Sequence, residues 1–272
     1  MRVGFTIIYN GKHHLLHNNW TRLLPKMLDY WVIIEGAAHP GGSTSWCNEL
    51  ENNSSTDGTI ELIEDLEYTT PGVATVTNRP QGWKSKDEMV NAAILLINNA
   101  FEGSGVKNIF LWQLDIDEQW TPEQMAEAEV ELVTKGGDCG CFHANHFVGE
   151  RLVARGTWGE GNHPDDPIKN AYRRLWIWNG QQFKTHEPPT LEGGNGKEVL
   201  LSQRFDHYSY YFEKDVLFKQ KYYKGNEHLH EKWVRMNAND TVAHHVQELI
   251  GGFWGETDTI IEPLLGLKKH YY

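Results

Sequence analysis

Two aspartates separated by one residue, Asp115 and Asp117, directly follow an apolar run at residues 108–114. A run of this length bounded by polar residues is typical of a buried strand, so both carboxylates would lie at its carboxyl end. Side chains two positions apart on an extended chain point the same way, and carboxylate oxygens are good ligands for hard divalent cations. The pair predicts a site for Mn²⁺ or Mg²⁺, with both aspartates as ligands or one of them acting through water.

The position of the acidic pair counts for more than its sequence, because such pairs also arise by chance. Open α/β sheets bind ligands just beyond the carboxyl ends of their strands. Glu118 and Gln119 extend the polar cluster before a helix that we expect to begin at Pro122. A cation held there suits a protein that handles phosphates, and the structural alternative is an acidic loop that caps the next helix.

The elements that must position this pair alternate between strands and helices through the first half of the chain. We predict strands at residues 3–9, 30–34, 73–77 and 108–114, and helices at residues 13–24, from the capping segment 55–59 onward, and at 88–100. Residues 37–53 are rich in Gly, Ser and Asn, which predicts a long loop. The alternation predicts an α/β fold with a mostly parallel central sheet flanked by helices.

The second half differs, with strands predicted at residues 140–148 and 171–177 among loops rich in Trp, His and Gly. Trp158, Trp176 and Trp178 are candidates for stacking on sugar rings, because an aromatic face matches the apolar patch of a pyranose. The alternative for each tryptophan is a place in the core. We expect one domain over residues 1–272, with halves at 1–120 and 121–225 and an extension at 226–272.

The composition excludes several classes of protein. A chain of 272 residues with a formal charge of −12 disfavours nucleic acids and anionic membranes as partners, although a local basic groove would still allow nucleic acid. No apolar stretch has the length of a membrane span, and no signal segment opens the chain, so we expect a cytoplasmic protein. Cys47, Cys139 and Cys141 are too few for a disulfide framework and are predicted to be free thiols.

Five ordered segments together resemble the family-2-type glycosyltransferases with the GT-A fold. They are Ile7-Ile8-Tyr9-Asn10, Ile33-Ile34-Glu35-Gly36, Ser55-Thr56-Asp57-Gly58-Thr59, Lys86-Asp87-Glu88-Met89-Val90-Asn91-Ala92 and Leu114-Asp115-Ile116-Asp117-Glu118. The resemblance covers residues 3–225 and is strongest up to Trp120. It departs from the common pattern at residues 37–54, which separate Glu35 from the Ser-Thr-Asp-Gly segment.

The resemblance implies a Rossmann-like GT-A domain that moves a sugar from a nucleoside-diphosphate sugar to a hydroxyl acceptor, with inversion and with Mn²⁺ or Mg²⁺. The donor lies over the first strands, with Tyr9 near the base and Glu35 accepting from the base or ribose. Lys86, Asp87 and Asn91 lie near the nucleotide or sugar. Asp117 binds the metal directly, and Asp115 contacts the ribose or the metal.

Two later segments also match this family. Residues 174–178 and 183–190 resemble the hairpin and His-containing loop that closes over the acceptor site, which makes His186 and Glu187 catalytic candidates. Glu187 is the expected base, with Glu118 and Glu150 behind it. Residues 206–211 resemble the late segment whose histidine reaches the metal, so His207 is the expected third ligand, the alternative being a buried core histidine. Lys219 and its basic neighbours would neutralise the leaving diphosphate or form a solvated face.

Two other classes of function stay open. A nucleotidyltransferase acting on sugar phosphates would share the metal, nucleotide and sheet, but should carry a Gly-rich basic loop after its first strand, of which residues 9–14 are a poor version. A non-catalytic carbohydrate-binding protein would use the Trp-rich half alone. The expected acceptor is a hydroxyl-bearing molecule, with a glycan favoured, and no oligomeric state is predicted.

Overall fold

The computed structural model of the chain describes residues 1–77, 80–105, 109–150, 168 and 171–238, and the backbone of 152–156 and 257–259. The expected stacking residue Trp158 lies outside these residues, as does most of the extension beyond residue 238. In chain order, the helices are α1 (Lys12–His17), α2 (Trp20–Met27), α3 (Thr59–Thr69), α4 (Lys86–Phe101), α5 (Pro122–Thr134), α6 (Glu213–Tyr222) and α7 (Leu229–Ala238). The strands are β1 (Arg2–Ile8), β2 (Tyr30–Glu35), β3 (Val73–Thr77), β4 (Ile109–Gln113), β5 (Glu118–Gln119), β6 (Cys139–Val148), β7 (Leu152–Gly156), β8 (Tyr172–Trp178), β9 (Phe183–His186), β10 (Pro189–Leu191), β11 (Glu198–Tyr210) and β12 (Thr257–Thr259).

The chain divides into two compact units. The first comprises Met1–Ile116, Gly136–Cys139 and Arg173–Lys197, and the second comprises Asp117–Lys135, Gly140–Tyr172 and Glu198–Tyr272. The predicted domain boundaries at residues 120 and 225 stay a prediction.

A mostly parallel sheet forms the centre of the first unit. Its strands lie in the order β8-β4-β1-β2-β3, with β1 parallel to both β2 and β4, β2 parallel to β3, and β8 antiparallel to β4. β2 is an almost continuous apolar run, Tyr-Trp-Val-Ile-Ile, and is buried from its second residue onward. That composition is typical of a parallel strand covered on both faces. Helices α2 and α4 pack on β2, and α3 packs on β3.

The second unit is built mainly from antiparallel pairs. β11 pairs with β5 and β6, β6 pairs with β7, and β7 pairs with β12. Helix α5 begins at Pro122 as predicted, where Thr121 and Gln124 form a capping box. These features confirm the predicted fold class: an α/β chain with a mostly parallel sheet flanked by helices, followed by a mixed second half.

One predicted helix is wrong in its extent. Residues 13–24 form two helices, α1 and α2, because the chain turns between them at Asn19, whose φ of 56° lies in the left-handed region. Asparagine tolerates that region better than most residues, since its short amide can hydrogen-bond locally. The break leaves the side chain of Asn18 free to turn inward, where it donates to a backbone carbonyl.

Within the described residues, no helix is both long enough and apolar enough to cross a bilayer. The three cysteines are all buried and free, as predicted.

Candidate active site

Asp115, just beyond β4, is held by a buried arginine in the first unit. Nη2 of Arg174 lies 2.7 Å from Oδ2 of Asp115. The antiparallel pairing of β4 with β8 places Trp112 opposite Leu175, which brings residue 174 beside the end of β4. The Arg174 side chain is only 5% exposed and Asp115 is 35% exposed, so this carboxylate gives the buried guanidinium a partner of opposite charge. Sequence reasoning did not predict this pair.

Asp87 lies in the first turn of α4 and connects three segments of the first unit. Its Oδ1 accepts from the backbone N–H of His186 at 2.6 Å and from the hydroxyl of Ser43 at 2.8 Å, and its Oδ2 accepts from the backbone N–H of Ser43 at 3.0 Å. Burial alone would raise the pKa of Asp87, but these hydrogen bonds outweigh it and lower the pKa. A charged Asp87 therefore fixes both the long loop after β2 and strand β9 at the start of α4.

His186 is buried and neutral at physiological pH. Burial, with the positive charges of Lys86 and Arg174, lowers its pKa to about 4, although Asp115 and Asp87 act in the opposite direction. Nε2 of the ring lies 3.5 Å from Nε2 of Gln113, the last residue of β4. Among the described residues, Nδ1 of His186 has no hydrogen-bond partner. The imidazole is thus a neutral polar group beside the charges at the strand end.

Glu187 is the neighbouring carboxyl group, in the turn between β9 and β10. Much of the residue is exposed, yet enough protein surrounds the carboxyl for burial to raise its pKa. Lys86 and Arg174 oppose that increase and Asp115 adds to it. A carboxylate with a raised pKa holds a proton more readily than an ordinary glutamate, which is the property of a general base.

Asn91 joins helix α4 to strand β9. Its Oδ1 accepts from the backbone N–H of Phe183 at 2.8 Å, and its Nδ2 donates to the carbonyl of Phe183 at 2.9 Å. The amide side chain thus completes the pairing that a neighbouring strand would provide. Asn91 has a structural role here that sequence reasoning did not foresee, because its partner lies 92 residues away.

Glu35 joins the end of β2 to the segment that follows residues 37–54 in the first unit. Oε1 accepts from the backbone N–H of Ser55 at 2.6 Å, and Oε2 accepts from the hydroxyl of Thr77 at 3.2 Å. The intervening loop is closed at its base, since the N–H of Ala37 donates to the carbonyl of Asn53 at 2.9 Å. The end of β2 and the Ser-Thr-Asp-Gly segment therefore meet despite the insertion.

Tyr9 lies beside the same loop. Its hydroxyl donates to the carbonyl of Asn52 at 3.0 Å. Burial, followed by the negative charge of Glu35, raises the pKa of Tyr9, so the phenol stays protonated at neutral pH. Asp57, four residues after the loop, accepts from the N–H of Thr59 at 3.0 Å and from that of Lys12 at 3.2 Å, so it binds the first backbone N–H of α3 and of α1.

Asp117 and His207 lie together in the second unit. Nε2 of His207 is 3.5 Å from Oδ1 of Asp117, and both side chains are largely buried, at 11% and 17% exposure. The antiparallel pairing of β5 with β11, which places His207 opposite Glu118, brings them together, and the N–H of Tyr208 donates to the Asp117 carbonyl at 2.6 Å. Nδ1 of His207 is buried and has no hydrogen-bond partner within the described part of the chain.

This carboxylate and imidazole fit a divalent cation. Oxygen and neutral imidazole nitrogen form a ligand set that Mn²⁺ accepts readily and that Mg²⁺ tolerates. The ring of His207 packs against those of His146 and Tyr172, with centroids 4.9 Å and 5.7 Å away. An imidazole packed in this way is fixed in orientation.

The remaining candidates are two tryptophans, two glutamates and one lysine. Trp176 and Trp178 are buried, and their indoles donate to Asn195 Oδ1 at 3.2 Å and to the Gln181 carbonyl at 2.8 Å, so both are core residues and not sugar platforms. Glu118 is fully buried and Glu150 is exposed. The Nζ atom of Lys219 lies over the rings of Tyr210 and Tyr223, 5.7 Å and 5.6 Å from their centroids.

Comparisons with known proteins give structural similarity at low identity. No protein-family model matches the chain, and no curated protein matches it. The chain is similar to residues 1–349 of TarS from S. aureus, with 10% identity and a TM-score of 0.44 over 86% of this chain and 69% of that one. The same TarS segment in complex with UDP-GlcNAc matches with 10% identity and a TM-score of 0.40, over 86% of this chain and 70% of that one. A 4-diphosphocytidyl-2C-methyl-D-erythritol synthase matches with 11% identity and a TM-score of 0.34, over 65% of this chain and 74% of that one. At these values the similarities define neither the family nor the activity of the chain.

Arg174 and Gln113 lie at the site but were not predicted from the sequence as site residues. The available signal for Arg174 was its place in the otherwise apolar run Leu175-Trp176-Ile177-Trp178, where an arginine requires a charged partner. Gln113 ends an apolar strand two residues before the acidic triplet Asp115-Ile116-Asp117, which is a comparable signal.

Proposed function

We propose that this chain is a metal-dependent glycosyltransferase with a GT-A fold, moving a sugar from a nucleoside-diphosphate sugar to a hydroxyl acceptor. The observation that carries the proposal is the pairing of Asp117 with His207, in which a buried carboxylate faces a buried imidazole. The order of the motifs along the first four strands supports the same function.

Asp117 and His207 would hold Mn²⁺ or Mg²⁺. When bound, the cation offsets the negative charge that builds on the departing diphosphate, which is the main electrostatic demand of the reaction. Asp115 is the third proposed ligand or, alternatively, a contact to the ribose. The ion pair with Arg174 favours the second alternative. Since Oδ2 of Asp115 already accepts from Arg174, the other carboxylate oxygen would accept a hydrogen bond from a ribose hydroxyl.

Glu187 is the proposed general base that removes the proton from the acceptor hydroxyl. Its raised pKa supports this role, and the positive charges of Lys86 and Arg174 keep the carboxyl able to ionise. His186, neutral and buried next to it, would orient the acceptor by hydrogen bonding. The proposed transfer is a single displacement, in which no carboxylate of the chain acts as the nucleophile. Such a displacement inverts the anomeric carbon.

The proposed donor contacts are Tyr9, Glu35, Lys86, Asp87 and Asn91. Lys86 and Tyr9 would contact the donor directly. The hydrogen bonds of Glu35, Asp87 and Asn91 to the protein backbone support an additional role, in which these residues shape the donor site. A glycan is the proposed acceptor. The three buried free thiols support a reducing compartment such as the cytoplasm.

A thermal-shift panel of nucleoside-diphosphate sugars, each with and without Mn²⁺, tests the proposal. A ligand that binds only the folded state raises the melting temperature, so one donor should stabilise the wild type in a Mn²⁺-dependent manner. The variant Asp117→Ala should lose this response, whereas Asp65→Ala, which removes an exposed aspartate from α3, should keep it.

Product analysis on the donor so identified completes the test. Release of a free nucleoside diphosphate means sugar transfer, while release of pyrophosphate would identify a nucleotidyltransferase. Glycan binding without any response to nucleotides would identify a carbohydrate-binding protein. Either of the last two results contradicts the proposal.

A further inference from the structure

The carbonyl oxygen of Ile116, at the centre of the acidic triplet, accepts two hydrogen bonds from buried side chains of the first unit. Nδ2 of Asn18 and Nε1 of Trp20 each lie 3.0 Å from it. Asn18 is fully buried and Trp20 is 3% exposed. Side chains from the junction of α1 and α2 thus use both lone pairs of one backbone oxygen almost a hundred residues away.

The side chain of Ile116 is half-buried, and its terminal methyl lies against Gly11. A Cβ atom placed on Gly11, just before α1, would overlap the terminal methyl of Ile116 and approach the Ile8 side chain. The backbone N–H of Gly11 donates to the hydroxyl of Thr59 at 3.0 Å, which fixes the glycine in place. Ile116 is therefore restrained through its carbonyl, while its side chain contacts Gly11.

The restraint passes to Asp117 through covalent geometry. A peptide unit is planar, so fixing the Ile116 carbonyl fixes the plane that ends at the Cα of Asp117. The next plane, between Asp117 and Glu118, is held in the second unit by the hydrogen bond from Tyr208 N–H to the Asp117 carbonyl. The hydrogen bonds to the Ile116 carbonyl thus restrict the backbone N and Cα atoms of Asp117, from which its side chain projects.

We propose that Asn18 and Trp20 are positioning residues for the acidic triplet, which aim the carboxylate of Asp117 by clamping the Ile116 carbonyl. The inference rests on the proposed function, in which Asp117 holds the cation. Partners that orient a metal ligand in this way typically contribute about 10-fold to 100-fold in metal affinity or activity.

The variant Trp20→Phe tests the clamp, because it keeps a large buried ring and removes the indole N–H. Trp31→Phe is the matched control: Trp31 is 1% exposed and its Nε1 donates to the hydroxyl of Thr6 at 2.9 Å, which is not part of the triplet. Both variants lose one buried indole hydrogen bond and should lose similar thermal stability.

Two readouts separate the variants. Hydrogen exchange in a peptide spanning residues 114–120 should accelerate in Trp20→Phe and stay at the wild-type rate in Trp31→Phe. The Mn²⁺ dissociation constant, titrated with UDP present, should rise about 10-fold or more in Trp20→Phe only, and kcat should fall with the acceptor KM unchanged. Asn18→Asp, which replaces the donor by an acceptor, should reproduce these effects.

The two proposals fail separately. Equal exchange rates in Trp20→Phe and Trp31→Phe would overturn the clamp, whatever the chain binds. A wild type that binds neither Mn²⁺ nor any nucleotide sugar would overturn the glycosyltransferase proposal, and the exchange data would still decide whether Asn18 and Trp20 hold the triplet.

Discussion

Replacing Asn91 by alanine should destabilise the protein more than its position on a helix surface suggests. The side chain makes two hydrogen bonds to the backbone of Phe183, one to the N–H at 2.8 Å and one to the carbonyl at 2.9 Å. Phe183 is only 2% exposed, so water cannot readily replace the lost partners. Strand β9, which carries His186, depends on this connection.

The magnitude follows from the two backbone groups left without partners. Each buried polar group that loses its hydrogen bond costs about 1–3 kcal/mol, so Asn91→Ala should lower the free energy of unfolding by about 2–6 kcal/mol. Asn98→Ala is the matched control on the same helix, since Asn98 makes a single hydrogen bond to the carbonyl of Gly180 at 3.1 Å. Both substitutions gain the same helix propensity, which cancels in the comparison.

Urea denaturation followed by circular dichroism measures both variants against the wild type. The expected result is a loss in Asn91→Ala that exceeds the loss in Asn98→Ala by about 1 kcal/mol or more. Equal losses would show that the amide of Asn91 does not replace a strand partner for Phe183, and would refute the structural role assigned to it.

Three further outcomes are expected. The pKa of His186 is about 4 in the folded protein and 6.5 as its ordinary value, so on acidification the unfolded chain binds the proton first. The free energy of unfolding should therefore fall by up to about 3 kcal/mol as the pH drops from about 6.5 to about 4. Glu187→Gln should keep donor affinity and lose turnover by about 100-fold or more. Gly11→Ala should weaken Mn²⁺ binding and lower the melting temperature, because the new methyl overlaps Ile116.

Each of these outcomes has a measurement that checks it. For His186, urea denaturation at several pH values gives the unfolding free energy as a function of pH, and its slope should be shallower in His186→Gln than in the wild type. An unchanged slope would mean that another group causes the loss of stability. For Glu187, wild-type turnover in steady-state kinetics would place the base at another residue. For Gly11, calorimetric titration measures the affinity of Gly11→Ala for Mn²⁺. An affinity equal to that of the wild type would mean that Ile116 moves aside without affecting Asp117.

The sequence predicted elements that follow from local pattern. Strand β3 has the predicted bounds, Val73–Thr77, because β-branched residues lie between clear turn signals. Helix α5 begins at Pro122, where Thr121 and Gln124 supply a capping box that operates within four residues. The parallel sheet followed from alternating strands and helices, for which the chain has few other arrangements.

Contacts between distant segments could not be predicted in the same way. Arg174 and Asp115 are 59 residues apart, and Asn18 and Ile116 are 98 residues apart, so no local periodicity records either pair. The same limit explains the break between α1 and α2: a helical pattern ran through Asn18, but tertiary hydrogen bonding to Ile116 competes with the helix there. Buried polar residues at element ends were the available signals.

The sharpest test of metal binding is a crystal structure with Mn²⁺ and the nucleoside diphosphate of the donor identified by thermal shift, because the anomalous scattering of manganese locates the ion independently of the protein. We expect an anomalous peak coordinated by the carboxylate of Asp117 and the imidazole of His207, and no such peak in Asp117→Ala crystals. Electron density for the nucleoside diphosphate with no anomalous peak beside Asp117 and His207 would contradict the proposed metal site.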